Sequence, residues 1–284
     1  MKLKQIALAG MLFAASGLSL FAQHGPEDKA GWKLGAQSYT FRLFTFAEAL
    51  DKIDSCGMKY VEAFPGQKIG GGIDGAMDFK MDKAKQDEIK QLLKSKGITL
   101  TTFGVVSPKT EEDWAQLFAF AKAMGITNIN TEPDPALLPY IISMAEKNKI
   151  KIALHNHPKP SRYWHPDTVL KYAGNSAFVG ACADIGHWVR SGLDPVEQMK
   201  KLNGRILGMH FKDVVPDASG AKYHDVIWGN GKSNVNGVIA EMKRQNFKGP
   251  ISVEYEYNWE HSAPEVAKSV EYFRSSYKTV KKGK

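Results

Sequence analysis

Five short apolar runs in this chain each end in acidic or histidine residues. They read Asn130-Thr131-Glu132, His155-Asn156-His157, Asp184-Ile185-Gly186-His187, His210-Phe211-Lys212-Asp213 and Glu254-Tyr255-Glu256. Carboxylates and imidazoles bind divalent cations and move protons near neutral pH. Placed at the carboxyl ends of successive parallel strands, they would converge at the mouth of a barrel. The chemistry open to such a cluster is metal-assisted proton transfer.

Side chains alternate along a strand, so parity tests which of these residues share a face. Ala153, His155 and His157 do, as do Cys182 and Asp184; Gly208, His210 and Lys212; and Ser252, Glu254 and Glu256. Small or polar residues on that parity, opposite Leu154, Val253 and Tyr255, suit a barrel interior that opens into a polar mouth. Glu62 and Glu132 end their own runs in the same manner, and Glu62, Glu256 and Trp188 could face a substrate. Glu132, Asp184, His210 and Glu254 form a sensible divalent-metal set, with His157 as a candidate fifth member. Three carboxylates and one imidazole suit Mn²⁺, Co²⁺ or Mg²⁺ better than Zn²⁺, whose structural sites favour thiolates. Trp164, Trp188, Trp228 and Trp259 fall near strand ends, where a ring could stack on a sugar or simply pack.

The elements that must carry these groups read as strict alternation. Strands are expected at Leu34–Tyr39, Tyr60–Phe64, Thr99–Val105, Asn128–Glu132, Lys151–His155, Val179–Asp184, Ile206–Phe211 and Ile251–Glu256. Amphipathic helices are expected at Phe46–Cys56, Ala84–Lys96, Glu111–Met124, Leu137–Lys147, Asp167–Ala173, Pro195–Leu202, Val235–Gln245 and Pro264–Lys278. Gly57, Gly97 and Gly125 stand where helices end and hand on to strands. Eight strand–helix pairs predict a single (β/α)₈ TIM barrel over residues 23–284. A doubly wound sheet would bring a glycine-rich turn after the first strand, and Ser38-Tyr39-Thr40-Phe41 has no glycine. Gly229-Asn230-Gly231-Lys232-Ser233 resembles part of a phosphate loop, but Val226 stands where its first glycine is required, so a plain turn is expected. Gly70-Gly71-Gly72 reads as a mobile loop over the site.

Composition bounds the partners. The chain has 284 residues and a formal charge of +8, its lysines scattered along helical faces and the tail, so a solvated surface is expected rather than a nucleic-acid patch. Lys2 and Lys4 precede an apolar stretch from Ile6 to Ala15, which continues weakly to Ala22. That is a signal peptide over residues 1–22 with a cut after Ala22, and it places the mature protein in the periplasm with no membrane contact. The two cysteines, Cys56 and Cys182, lie in different environments and are expected as free thiols.

The run Asp184-Ile185-Gly186-His187, Gly192-Leu193-Asp194-Pro195, Arg205-Ile206, His210-Phe211-Lys212-Asp213 and Glu254-Tyr255-Glu256 resembles the xylose isomerase-like TIM-barrel superfamily. That group includes sugar isomerases and epimerases, inosose dehydratases and endonuclease IV-type repair enzymes. The resemblance implies that Asp184, His210 and Glu254 are metal ligands and that His187 and Lys212 face the substrate. In many epimerases of the group strand five ends in a glutamate; here it holds His155-Asn156-His157, closer to inosose dehydratases and keto-sugar enzymes. The expected activity is therefore proton removal beside the carbonyl of an unphosphorylated keto-sugar or keto-glycoside, followed by elimination or hydration. His155 or His157 would be the acid/base and Glu254 the metal-bound base. An aldose–ketose isomerase or epimerase of a free sugar is the alternative; a DNA-repair enzyme and a catalytically dead sugar-binding module are further rivals. The partner is a small carbohydrate, with a homodimer open to the helix faces.

Overall fold

The computed structural model describes residues 25–220 and 222–283; the expected leader and its cut after Ala22 lie outside them. Eight parallel strands close into one barrel in chain order. They are β1 (Trp32–Gln37), β2 (Tyr60–Ala63), β3 (Thr99–Phe103), β4 (Asn128–Thr131), β5 (Lys151–His155), β6 (Val179–Asp184), β7 (Ile206–Phe211) and β8 (Gly249–Val253). Strand β8 pairs back onto β1, with Leu34 opposite Ile251. The helices are α1 (Phe46–Ser55), α2 (Lys83–Lys96), α3 (Glu111–Met124), α4 (Leu138–Asn148), α5 (Pro166–Ala173), α6 (Ile185–Arg190), α7 (Pro195–Lys201), α8 (Val235–Arg244) and α9 (Ala263–Thr279). This is the (β/α)₈ barrel that the alternation predicts. Among the described residues no helix is long and apolar enough to cross a membrane.

The apolar parity of each strand, such as Ile152 and Leu154 or Met209 and Phe211, is buried in the main core, which the helices cover. Burial of these side chains is the main favourable term, worth about 1.5–3 kcal/mol each. Helix starts are fixed locally. Thr45 and Glu48 form a reciprocal capping box on α1, and Asp82 and Thr110 cap α2 and α3. Both thiols are free and buried.

The structure departs from the expected elements at the carboxyl ends of strands, where the site is. Strand β1 stops at Gln37 because the Gln37 side chain accepts from Tyr39 N and opens a 3₁₀ turn over Ser38–Phe41. Strands β2, β3, β4 and β8 also end before Phe64, Val105, Glu132 and Glu256, although Gly104 N, Val106 N and Glu254 N still donate to neighbouring strands. Helix α6 was not expected; it starts because Asp184 caps it, accepting from His187 N at 2.8 Å. The triple glycine is the turn of a two-stranded hairpin, Lys68–Gly70 with Ile73–Ala76, and not a free loop. A second hairpin pairs Val214–Pro216 with Tyr223–Asp225.

Candidate metal and acid-base centre

The four consecutive strands β5 to β8 bring His155, Asp184, His210 and Glu254 together at the barrel mouth. Their ligand atoms all lie within 4.8 Å of one another, and all four residues are buried. Two of the atoms, His155 Nε2 and His210 Nδ1, are buried without a hydrogen bond of ordinary geometry, while Glu254 Oε2 is paired with Lys212 Nζ at 2.7 Å. His210 Nδ1 is 2.8 Å from Glu254 Oε2. Buried polar atoms left this way point to a missing partner. Two imidazole nitrogens and two carboxylate oxygens around one space fit a divalent cation.

Each imidazole of the group has a carboxylate behind it. Both Glu62 oxygens lie 3.0 Å from His210 Nε2, and Glu132 Oε1 lies 3.1 Å from His155 Nδ1. Such carboxylates fix the tautomer, leaving the opposite nitrogen free to bind an ion. Glu62 is 1% exposed and also accepts from Gln37, Asn130 and Ser252. It is an interior anchor for His210, and not the substrate-facing group expected from the sequence. Glu132 was expected inside the metal set. The imidazole of His155 stands between it and Asp184, so Glu132 instead joins His155 and His157 in a second group and accepts from Ser161 Oγ.

The remaining expected residues sort by depth. Lys212 is fully buried, its Nζ 2.9 Å from Asp184 Oδ2, 2.7 Å from Glu254 Oε2 and 2.6 Å from Glu256 Oε1. Gly186 makes room for it: a Cβ there would lie 2.5 Å from Lys212 Cβ. His187 is also buried, between Lys212 Nζ and Arg190 Nη1, each at 3.2 Å. These two residues do not line the cavity beside the group, although Lys212 reaches Glu256 on its wall. That cavity, of about 310 Å³, is lined by Gln37, Tyr39, Phe64, Pro65, Val105, His157, Glu254 and Glu256. Trp188, expected to face substrate, is 1% exposed in the main core, because α6 turns it away from the mouth. Trp228 packs on Phe211 and Phe273. Tyr39, Phe64 and Arg190 were not singled out in the sequence, since none sits at a strand-end acid or histidine.

Electrostatics follow from this packing. Burial raises the Asp184 carboxyl, but His187, Lys212 and His155 outweigh it and hold the group well below the ordinary value. For Glu254, burial is likewise overcome by Lys212 and His210. Glu132 is lowered despite burial by its bonds from His155 and His157. Burial depresses His155 and His210, yet Asp184 and Glu132 raise the first, and Cys182, Glu62 and Glu254 raise the second above the usual value. His187, depressed by burial and by the Lys212 and Arg190 charges against the pull of Asp184, stays neutral. Asp225 holds Arg190 at 2.9 Å and is pushed up to about 7 by burial.

The phosphate-loop fragment has a physical explanation. Asp213 accepts from the N–H groups of Gly229, Gly231 and Ser233 at 2.8–2.9 Å. The loop does cradle an anion, but that anion is the chain's own carboxylate. A Cβ on Gly231 would lie 2.2 Å from Asp213 Oδ1.

A closed eight-stranded barrel with a buried His/Asp/His/Glu group at its carboxyl end defines a class: barrels whose mouth could hold a metal beside an open cavity. The chain belongs to the xylose isomerase-like TIM-barrel family, whose model matches residues 50–276. No curated protein matches the sequence. Among solved structures, an uncharacterised protein from Parabacteroides distasonis is 35% identical with a TM-score of 0.71, covering 86% of this chain and 99% of that one. A D-tagatose 3-epimerase-like protein is 18% identical with a TM-score of 0.68, over 87% and 98%. A protein described as the probable 3-DHS dehydratase of petrobactin synthesis in Bacillus anthracis is 18% identical with a TM-score of 0.62, over 83% and 96%. The last two likenesses show the shared fold.

Proposed function

We propose that this protein is an exported, metal-dependent carbohydrate lyase or hydratase acting on an unphosphorylated keto-sugar or keto-glycoside. The observation that carries this reading is the pairing of acid-base groups on the cavity wall. Glu254 stands on one strand, and His157, backed by Glu132, stands near the end of another. His155, 1% exposed and turned between Glu132 and Asp184, is a candidate ligand, which leaves His157 as the acid/base.

A divalent ion held by His155, Asp184, His210 and Glu254 would polarise a carbonyl and its neighbouring hydroxyl and ease loss of the proton between them. Mn²⁺ or Co²⁺ suits two imidazoles and two carboxylates better than Mg²⁺, which prefers oxygen. Glu254, held ionised by Lys212 and His210, takes the proton from the carbon beside the carbonyl. That electron pair forms a carbon–carbon double bond as the bond to the β-oxygen breaks. The departing oxygen takes its proton from His157, with Glu132 holding the imidazole in place. Two-base epimerisation would want a second carboxylate to pair with Glu254, and the acid-base partner proposed here is the His157 imidazole.

The cavity wall bears two carboxylates and no lysine or arginine, which disfavours a phosphate. This agrees with export through a leader over residues 1–22. The test is incubation of the Mn²⁺-loaded protein with a 3-keto-glucoside and with free hexoses, each in deuterated water. Release of the aglycone, lost in Glu254→Gln, is expected. Deuterium entering an intact hexose without loss of water or aglycone would assign the isomerase or epimerase activity instead.

A further inference from the structure

The cavity above the metal group is not alone. A second, of about 420 Å³, is lined by Tyr39, Arg42, Leu43, Phe44, Thr45, Phe64, Gly66, Gln67 and Lys68. Tyr39 and Phe64 belong to both walls, and their rings meet edge to face at 5.2 Å. A ligand that fills the first cavity and extends over this pair enters the second.

We propose that the second cavity is a leaving-group subsite that takes the neutral second ring of a glycoside, either a sugar or an aryl group. The inference rests on the lyase reading above and names its substrate class: two-ring keto-glycosides rather than free keto-monosaccharides. Tyr39, Phe44 and Phe64 offer aromatic surface to the apolar face of such a ring. Leu43, on the rim, is 57% exposed, the most of any large hydrophobic side chain among the described residues. An apolar side chain left in water beside a cavity is a feature of binding surfaces.

Polar groups are fixed there too. The Arg42 guanidinium stacks 3.8 Å from the centre of the Trp259 ring and donates to Tyr39 Oη at 2.6 Å. Held on both sides, it can offer a donor to a ring or bridging oxygen with little ordering cost. Gln67 donates to the Phe44 carbonyl at 3.2 Å, while its own amide oxygen is buried without a partner. A ligand hydroxyl reaching it after a small shift of the amide would satisfy it. The wall is also preformed, since the capping box of Thr45 and Glu48 sets the chain direction directly after Leu43 and Phe44.

The test uses unreactive ligands, so that binding is read apart from chemistry. Methyl glucoside, phenyl glucoside and cellobiose are titrated calorimetrically into the Mn²⁺-loaded full chain. Phenyl glucoside and cellobiose are expected to bind about tenfold tighter than methyl glucoside, a gain of the size a stacked ring supplies. Leu43→Ser and, separately, Phe44→Ala should each reduce that ratio at least severalfold. Leu43 is exposed enough that its variant keeps the fold, which thermal unfolding checks. Equal affinities for one-ring and two-ring ligands, or a preference that survives both substitutions, would overturn the subsite. If the preference behaves as expected but no 3-keto-glycoside is cleaved, the lyase reading and the leaving-group role fall together, and the cavity is left as a second-ring binding site. If cleavage occurs without any two-ring preference, the subsite falls and the lyase reading stands. Tighter binding of phenyl glucoside alone, with cellobiose no better than methyl glucoside, would assign the subsite to aryl aglycones.

Discussion

Glu62 and His210 face each other across the barrel, both carboxylate oxygens 3.0 Å from His210 Nε2 and neither residue exposed beyond 1%. The carboxylate can only accept, so Nε2 carries a proton, and Nδ1, turned toward Asp184 and Glu254, is the nitrogen that becomes bare when the imidazolium loses a proton. A residue with no access to the cavity thereby sets the chemistry of one that could hold an ion.

That relation is testable by Glu62→Gln. The amide keeps the bonds from Gln37 and Asn130 to Oε1 but presents an N–H₂ to His210, favouring the tautomer with the proton on Nδ1. Mn²⁺ affinity should fall by about 10–100-fold with the fold intact. Calorimetric titration and far-ultraviolet circular dichroism check the two halves. Unchanged affinity would mean that His210 binds no ion.

His155 and Glu132 should separate in the same assay. If His155 is a ligand and Glu132 its backing carboxylate, His155→Ala should cost more than the roughly 100-fold upper range of a supporting residue, while Glu132→Gln should stay within it. The reverse order would return Glu132 to the metal set expected from the sequence.

Strand parity made Asp184, His210 and Glu254 legible, because each follows an apolar run whose alternation fixes its direction. Parity could not choose between Glu132 and His155, since both point inward and stand on neighbouring strands at the same level. The order of strands around the barrel favours His155. Strands β5 to β8 form one arc, and Glu132 lies one strand outside, behind the His155 ring. Glu62 misled for a related reason: it is the third of four residues in β2, too deep to meet a ligand. Trp188 could not be placed without α6, a helix that exists because Asp184 caps it. The aromatic wall of Tyr39 and Phe64 carries no period or motif at all.

The Asp213 cradle should matter for stability rather than for chemistry. Asp213→Ala leaves three backbone N–H groups of the 229–233 loop without an acceptor. The expected loss is about 3 kcal/mol or more, read as a lower urea midpoint. A change within a few tenths of a kcal/mol would show that water replaces the carboxylate.

Without metal, His155 and His210 are both held above the ordinary imidazole value of 6.5. Folded-state values above the unfolded ones give stability that is complete below about pH 6.5 and is lost as pH rises through the folded values. The thermal midpoint of the chelated protein should therefore fall on the alkaline side. Metal needs those nitrogens bare, so binding should release protons and tighten with rising pH. Titrations in buffers of different ionisation enthalpy check the proton release.

The most direct measurement is the anomalous scattering of Mn²⁺ in crystals of the protein purified without chelator and soaked with the ion. One peak is expected within ligand distance of His155 Nε2, an Asp184 oxygen, His210 Nδ1 and a Glu254 oxygen. No peak there, or one seated instead among Glu132, His155 and His157, would contradict the metal centre on which the proposed chemistry depends.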